Sequence, residues 1–247
     1  MKLLSCLLIA ALAPFAVQDD PEPKPVTLGT VTGRIVFDGE IPEVKPLSIK
    51  DSQINPECCG DPAKVDRTDR SLLIDSKSRG IQNAVVTLTV PTIDLAIPEE
   101  PIVIDQKGCR FEPHIAVVPV GATVRWKNSD PGSHNIHTYA RKNSPSNRTI
   151  ASNADHDTRF KRAEVIKVTC DLHPWMVAHL VVTDATHYAV TDAQGSFDLA
   201  NVPPGEYTLN VWHESLGTSK AKVVVAKDGS VSPVEVKLAA KPKSRRR

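Results

Sequence analysis

The sequence predicts an all-β chain in which one β-sandwich is inserted into another. Short runs such as TVTGRIVF, NAVVTLTV, TVRWKN, EVIKVTC and EYTLNVW alternate apolar and polar residues or are rich in β-branched ones, and most are bounded by Gly, Pro, Asn or Asp. No stretch sustains a helical period. At 247 residues the chain can bury one large core or two ordinary ones. With aromatic residues at only 4%, those cores must be built mainly of Val, Ile, Leu and Ala.

The elements follow in chain order. In MKLLSCLLIAALAPFAVQDD, Lys2 precedes an apolar run from Leu3 to Ala13 and then small residues, which reads as a secretory signal peptide over residues 1–18. The run is shorter than the ~20 residues a bilayer span needs, and no later segment is long and apolar enough to be one. The mature protein is therefore expected in the periplasm or secreted, where disulfides are permitted. Residues 50–70 are polar and turn-rich and read as a long loop. The last residues, 239–247, form a short basic tail. Over the whole chain 30 Lys and Arg nearly balance 29 Asp and Glu, so no net field points to nucleic acid.

Residues 29–43, GTVTGRIVFDGEIPE, with IQNAVVTLTV at 81–90, read as opening strands. In VTDAQGSFDLANVPPGEYTLNVW at 190–212, the turn DAQG, the alternation GSFDL and the Pro203-Pro204-Gly205 turn complete the same module. These stretches resemble the carboxypeptidase-regulatory-like, prealbumin-type sandwich. The resemblance implies one discontinuous domain over 27–98 and 187–238 with an insert at 101–184. Three consecutive small domains are disfavoured, because each half alone has too few strands to hide both faces.

The insert carries the chemistry. CDLHPWM at 170–176 spaces a thiol, an imidazole and a thioether three residues apart, a donor set suited to copper and not to magnesium or calcium. Upstream, FEP at 111–113 is followed by a glycine turn, then WKNSD at 126–130 and HNIH at 134–137. These motifs resemble the cupredoxin, or blue-copper, family, a Greek-key sandwich, and the Cys-x-x-His-x-x-Met loop resembles that of amicyanin. The resemblance covers about a third of the chain. It implies one type 1 copper ion held by His134, Cys170, His173 and Met176, with Asn135 tying the two ligand loops together. The strand EVIKVTC lacks the aromatic residues common before the ligand cysteine, and Cys109 beside FEP is unusual for the family.

Assigning Cys170 to the metal leaves Cys58, Cys59 and Cys109 in the exported chain, an odd number. A bridge from Cys109 to Cys58 or Cys59 is easier geometrically than a vicinal one. His137, sharing a strand face with Asn135, is expected to point away from His134. His114 is expected to be a half-exposed strand histidine, and Trp212, His213 and Glu214 suggest no catalytic role.

Two functional classes follow. One is an electron carrier that docks a redox protein through an apolar rim at Pro174, Trp175 and Met176. The other is a copper-binding or carbohydrate-binding surface protein with a structural or scavenging copper site. An enzyme is not expected, since no second metal cluster is visible. A binuclear copper centre would need a second cysteine in the 170–176 loop, and none is there.

Overall fold

A computed structural model describes residues 26–240; the leader at 1–18 and the arginines of the basic tail lie outside them. The strands form four sheets packed as two sandwiches. In the first, Gly29–Asp38 lies between Ser196–Val202 and Val234–Ala239. The facing sheet runs His187–Val190, Val85–Leu88, Gly205–His213, Gly217–Val225. Alternation in GTVTGRIVFD sends Val31, Ile35 and Phe37 inward against Val86, Phe197, Leu209 and Val211. Gly33 is required there, because a Cβ would lie 2.3 Å from the Val234 carbonyl oxygen. The DAQG turn closes through Asp192, which accepts from the backbone N–H groups of Gln194 and Ser196. The Tyr207 hydroxyl donates to the Pro203 carbonyl at 2.9 Å, pinning the corner that enters Gly205–His213.

The strands between Ile102 and Thr183 pair only among themselves among the described residues and make the second sandwich. Its five-stranded sheet runs Ile115–Pro119, Val177–Thr183, Glu164–Thr169, His134–Thr138, Ser146–Ile150. The other sheet runs Phe111–Glu112, Ile102–Gln106, Thr123–Asn128, Asp155–Arg159. Between them lie Ile104, Phe111, Val124, Trp126, Ile136, Ile166, Val168 and Leu180. Trp126 is buried with its indole N–H donating to Thr158 at 2.8 Å, so the large ring fills the core without an unsatisfied donor. The two sandwiches meet through Val85, Ile115 and Val181, with Val117 and Trp212 against them.

The 50–70 loop does not stay with the sandwich whose strands flank it. It holds three short helical turns, Asp51–Gln53, Pro56–Cys59 and Pro62–Lys64. Asn55 caps the middle one by accepting from the Glu57 N–H. Arg110 donates to the Asp66 and Thr68 carbonyls, and Arg70 bridges Asp66 and Glu112. Cys58 is thereby buried in the core of the second sandwich.

Candidate metal centre

The five-stranded sheet delivers the donors. Glu164–Thr169 pairs with His134–Thr138, with Thr169 opposite His137, so the chain leaves one strand at Cys170 beside the start of the other. The loop turns back at once: the Met176 N–H donates to the His173 carbonyl at 2.8 Å, and the Cys170 N–H to the Met176 carbonyl at 3.2 Å. Val177–Thr183 then re-enters the sheet beside Glu164–Thr169.

Three donor atoms converge. His134 Nδ1 and His173 Nδ1 are 3.0 Å apart, and Cys170 Sγ lies 3.9 Å from the first and 3.7 Å from the second. A point roughly 2.1 Å from all three lies in the plane of that triangle, close to the distances at which imidazole nitrogen and thiolate sulfur bind a first-row metal ion. All three side chains are buried, and Met176 is fully enclosed in the same core. Burial pushes the Cys170 thiol upward, but contacts with His134 and His173 and the N–H groups of Asn135 and Leu172 outweigh it and bring the thiol down to about 6. The donor set is thus charged appropriately for a soft or borderline cation.

Asn135 links the two segments that carry the donors. Its Oδ1 accepts from the Asp171 N–H at 2.6 Å, and its own backbone N–H points at Cys170 Sγ at 3.5 Å. Its Nδ2 donates to Asn147, whose amide donates on to Asp171. His137 turns away from the donors, stacks on Tyr139 and meets Asp171 at 3.0 Å.

Two further residues shape the centre in roles the sequence did not suggest: Asp130, and Cys58, which was expected only as a possible partner of Cys109. Asp130 Oδ2 meets His134 Nε2 at 2.8 Å and is itself held by the N–H groups of Gly108 and Cys109. A carboxylate accepts, so Nε2 carries the hydrogen and, in the neutral ring, the Nδ1 lone pair is left to face the centre of the donor triangle. Burial disfavours the His134 imidazolium, yet Asp130 and Cys170 outweigh it and raise its basicity to about 9, so a cation at Nδ1 would compete with a proton. The signal was present as the acid of WKNSD, four residues before His134. The second is Cys58, whose free thiol is buried 3.7 Å from His134 Nε2. It fits there because Gly132 has no side chain: a Cβ would lie 2.4 Å from the Cys58 sulfur. Burial, then the charges of Asp130 and Cys170, push the Cys58 thiol up, which sets it apart from Cys170.

Cys59 and Cys109 are joined, 5.3 Å apart at Cα, and Cys59 Sγ lies 3.5 Å from His173 Nε2. Trp175 packs edge-on to His173 and donates to the Cys109 carbonyl. The apolar rim expected at Pro174, Trp175 and Met176 is corrected at Met176, which is buried, while Trp175 is half-buried and Pro174 exposed. Met176 is 0% exposed, within the core of the sandwich, and His173 only 5%, with Cys59 of the 50–70 loop against its ring. The exposed apolar side chains of the loop are Leu172, at 58%, and Pro174. His114 also departs from expectation: it is 8% exposed and sits away from the donor triangle, against Glu214.

Residues 173–239 match the carboxypeptidase regulatory-like domain family, a stretch beginning inside the ligand loop and running through the closing strands of the first sandwich. No curated protein matches the chain in sequence. Among solved structures it is similar to a purple cupredoxin from Nitrosopumilus maritimus, with 24% identity over 33% of this chain and 99% of that one, TM-score 0.30. A methionine-to-alanine variant of amicyanin in its Cu(I) state shows 23% identity over 40% of this chain and 98% of that one, TM-score 0.32. A copper-containing nitrite reductase from Thermus scotoductus SA-01 shows 18% identity over 39% of this chain, TM-score 0.32, and the match spans only 25% of the reductase.

Proposed function

We propose that this chain is an exported electron carrier that binds one copper ion in a type 1 site through His134, Cys170, His173 and Met176. The observation that supports it is the triangle of two Nδ1 atoms and one thiolate sulfur, closed to water, with a buried thioether in the same core. Copper, when bound, would supply a one-electron couple. The chain's own residues do the rest. Asp130 sets the His134 tautomer and ring angle. The Asn135 N–H tempers the charge on Cys170 Sγ. Ligands held on a packed sheet resist rearrangement between oxidation states, which favours fast transfer. A redox protein would dock over Leu172 and Pro174, the exposed part of the loop.

The test is to add Cu(II) to the mature protein, reduced at Cys170, and record visible and paramagnetic-resonance spectra. An intense thiolate-to-copper absorption is expected. Uptake of Cu(II) without that band overturns the proposal.

A second reading, a copper-holding protein without a transfer role, draws on the cover over His173 by Cys59 and Trp175. Rapid self-exchange with a reversible potential favours the carrier; tight uptake without reversible redox favours the holder.

The copper-bearing sandwich at 101–184 is, in this proposal, a unit inserted into the one formed by 27–98 and 187–238. Deleting 101–184 and closing the gap with a flexible linker should leave a cooperatively melting seven-stranded sandwich. A product without a cooperative transition counts against the insertion.

A further inference from the structure

A second buried cluster lies where the two sandwiches meet. His114 comes from the segment entering Ile115–Pro119, His179 from Val177–Thr183 in the second sandwich, and Glu214 from the residue after Gly205–His213 in the first. All three side chains are largely buried, and their donor atoms lie within 4.8 Å of one another. The two oxygens of Glu214 are divided between the rings: Oε1 meets His114 Nε2, and Oε2 lies 3.5 Å from His179 Nδ1.

Hydrogen counting makes this arrangement incomplete. His114 Nδ1 faces the Val177 carbonyl at 3.0 Å. A carbonyl only accepts, so that nitrogen carries the hydrogen, and in the neutral ring Nε2 presents a lone pair to a carboxylate oxygen. An added proton on His114 would repair that contact alone. His179 Nδ1 would stay buried without a hydrogen-bond partner, and burial holds this ring toward its neutral form despite Glu214. A buried polar atom without a partner is costly. A cation bound by both rings and the carboxylate satisfies every one of these atoms at once.

We propose that His114, His179 and Glu214 form a site for a borderline divalent cation such as Zn²⁺, bridging the two sandwiches. Two imidazoles and one carboxylate are a recurrent zinc donor set in which the fourth position stays open. The Val177 carbonyl orients His114 as a supporting contact orients a metal ligand. Beside the cluster is a cleft of about 390 Å³ whose wall includes Arg110, Lys167 and Trp175. The charges of Arg110 and Lys167 oppose a bare dication and favour an anion at the open position. The site is independent of the copper proposal: it uses no sulfur and shares no residue with the donor triangle.

The experiment uses the full mature chain carrying Cys170→Ser, with its disulfide intact, titrated with Co(II) and then with Zn(II). The expected result is one equivalent of Co(II) with visible ligand-field bands, no near-ultraviolet sulfur charge transfer, and displacement by Zn(II). Adding Glu214→Gln or His179→Asn to that background should weaken uptake at least tenfold. X-ray absorption of the Zn-loaded Cys170→Ser protein, which does not depend on either variant folding, should show imidazole and oxygen neighbours and no sulfur. No uptake, sulfur in the coordination shell, or uptake unchanged in both folded variants overturns the proposal.

Discussion

The donor triangle around Cys170 and the cluster around Glu214 are both buried groups of imidazoles and an acid or thiol, but the chain assembles them differently. The first gathers its donors at one end of one sheet, two of them from a single loop of seven residues. The second draws on both sandwiches and on residues 100 apart in sequence, His114 and Glu214. A locally built site survives whatever preserves its loop. One built across a junction exists only while the two sandwiches are docked, so its metal would report on their docking. Removing one contributor at a time separates the two modes of assembly.

The largest effect is expected from Cys170→Ser. Only the thiolate gives the copper charge-transfer absorption, so the band should vanish, while the Glu214 cluster is left intact. Retention of the band in this variant would mean that another sulfur, with Cys58 the nearest free thiol, is the ligand.

The next concerns what covers the triangle. The Cys59–Cys109 bridge closes 50 residues, for which loop entropy suggests about 4 kcal/mol. Cys59→Ser with Cys109→Ser should lower the denaturant midpoint accordingly. It should also open the His173 edge, so self-exchange of the copper-loaded protein should quicken. A stability loss with unchanged self-exchange would show that the cover does not gate transfer.

Much of the first site was legible because its information is local. The strands on either side of Cys170 announce themselves by alternation, and the spacing of Cys170, His173 and Met176 specifies soft donors on one turn. His134 needed the resemblance, and Asn135 came with it. Asp130 could have been found: WKNSD places an acid four residues before His134, beside a proline turn. The expected bridge from Cys109 to Cys58 or Cys59 already tied the 50–70 loop to the second sandwich, but nothing in the spacing said that Cys58 would pack beside His134 or that Cys59 would lie against His173. The rim failed at Met176 because that side chain turns into the core of its own sandwich. His114, His179 and Glu214 share no spacing at all; only the meeting of two folded sandwiches brings them together.

Asp130→Asn tests the support of the triangle from behind. The amide keeps the shape but can present an N–H toward His134 Nε2, disturbing the tautomer that frees Nδ1. A loss of about 10- to 100-fold in copper affinity is expected, measured by competition with a chelator. An unchanged affinity would assign Asp130 to the 108–109 turn, whose N–H groups it also holds.

The smallest effect is expected from Met176→Leu, and it bears most directly on how copper would be held. Met176 is fully buried, and its backbone closes the ligand loop from both sides, by donating to His173 and accepting from Cys170. Leucine keeps those backbone bonds and nearly the same volume, so the loop should close as before and stability should change by less than about 1.5 kcal/mol. What it removes is the thioether, a weak axial donor that helps stabilise Cu(II) more than Cu(I). The equatorial triangle remains, so copper and its colour should persist while the reduction potential rises. Voltammetry of the copper-loaded variant against wild type decides: a potential that does not move would make Met176 a core residue, and the site a three-donor one.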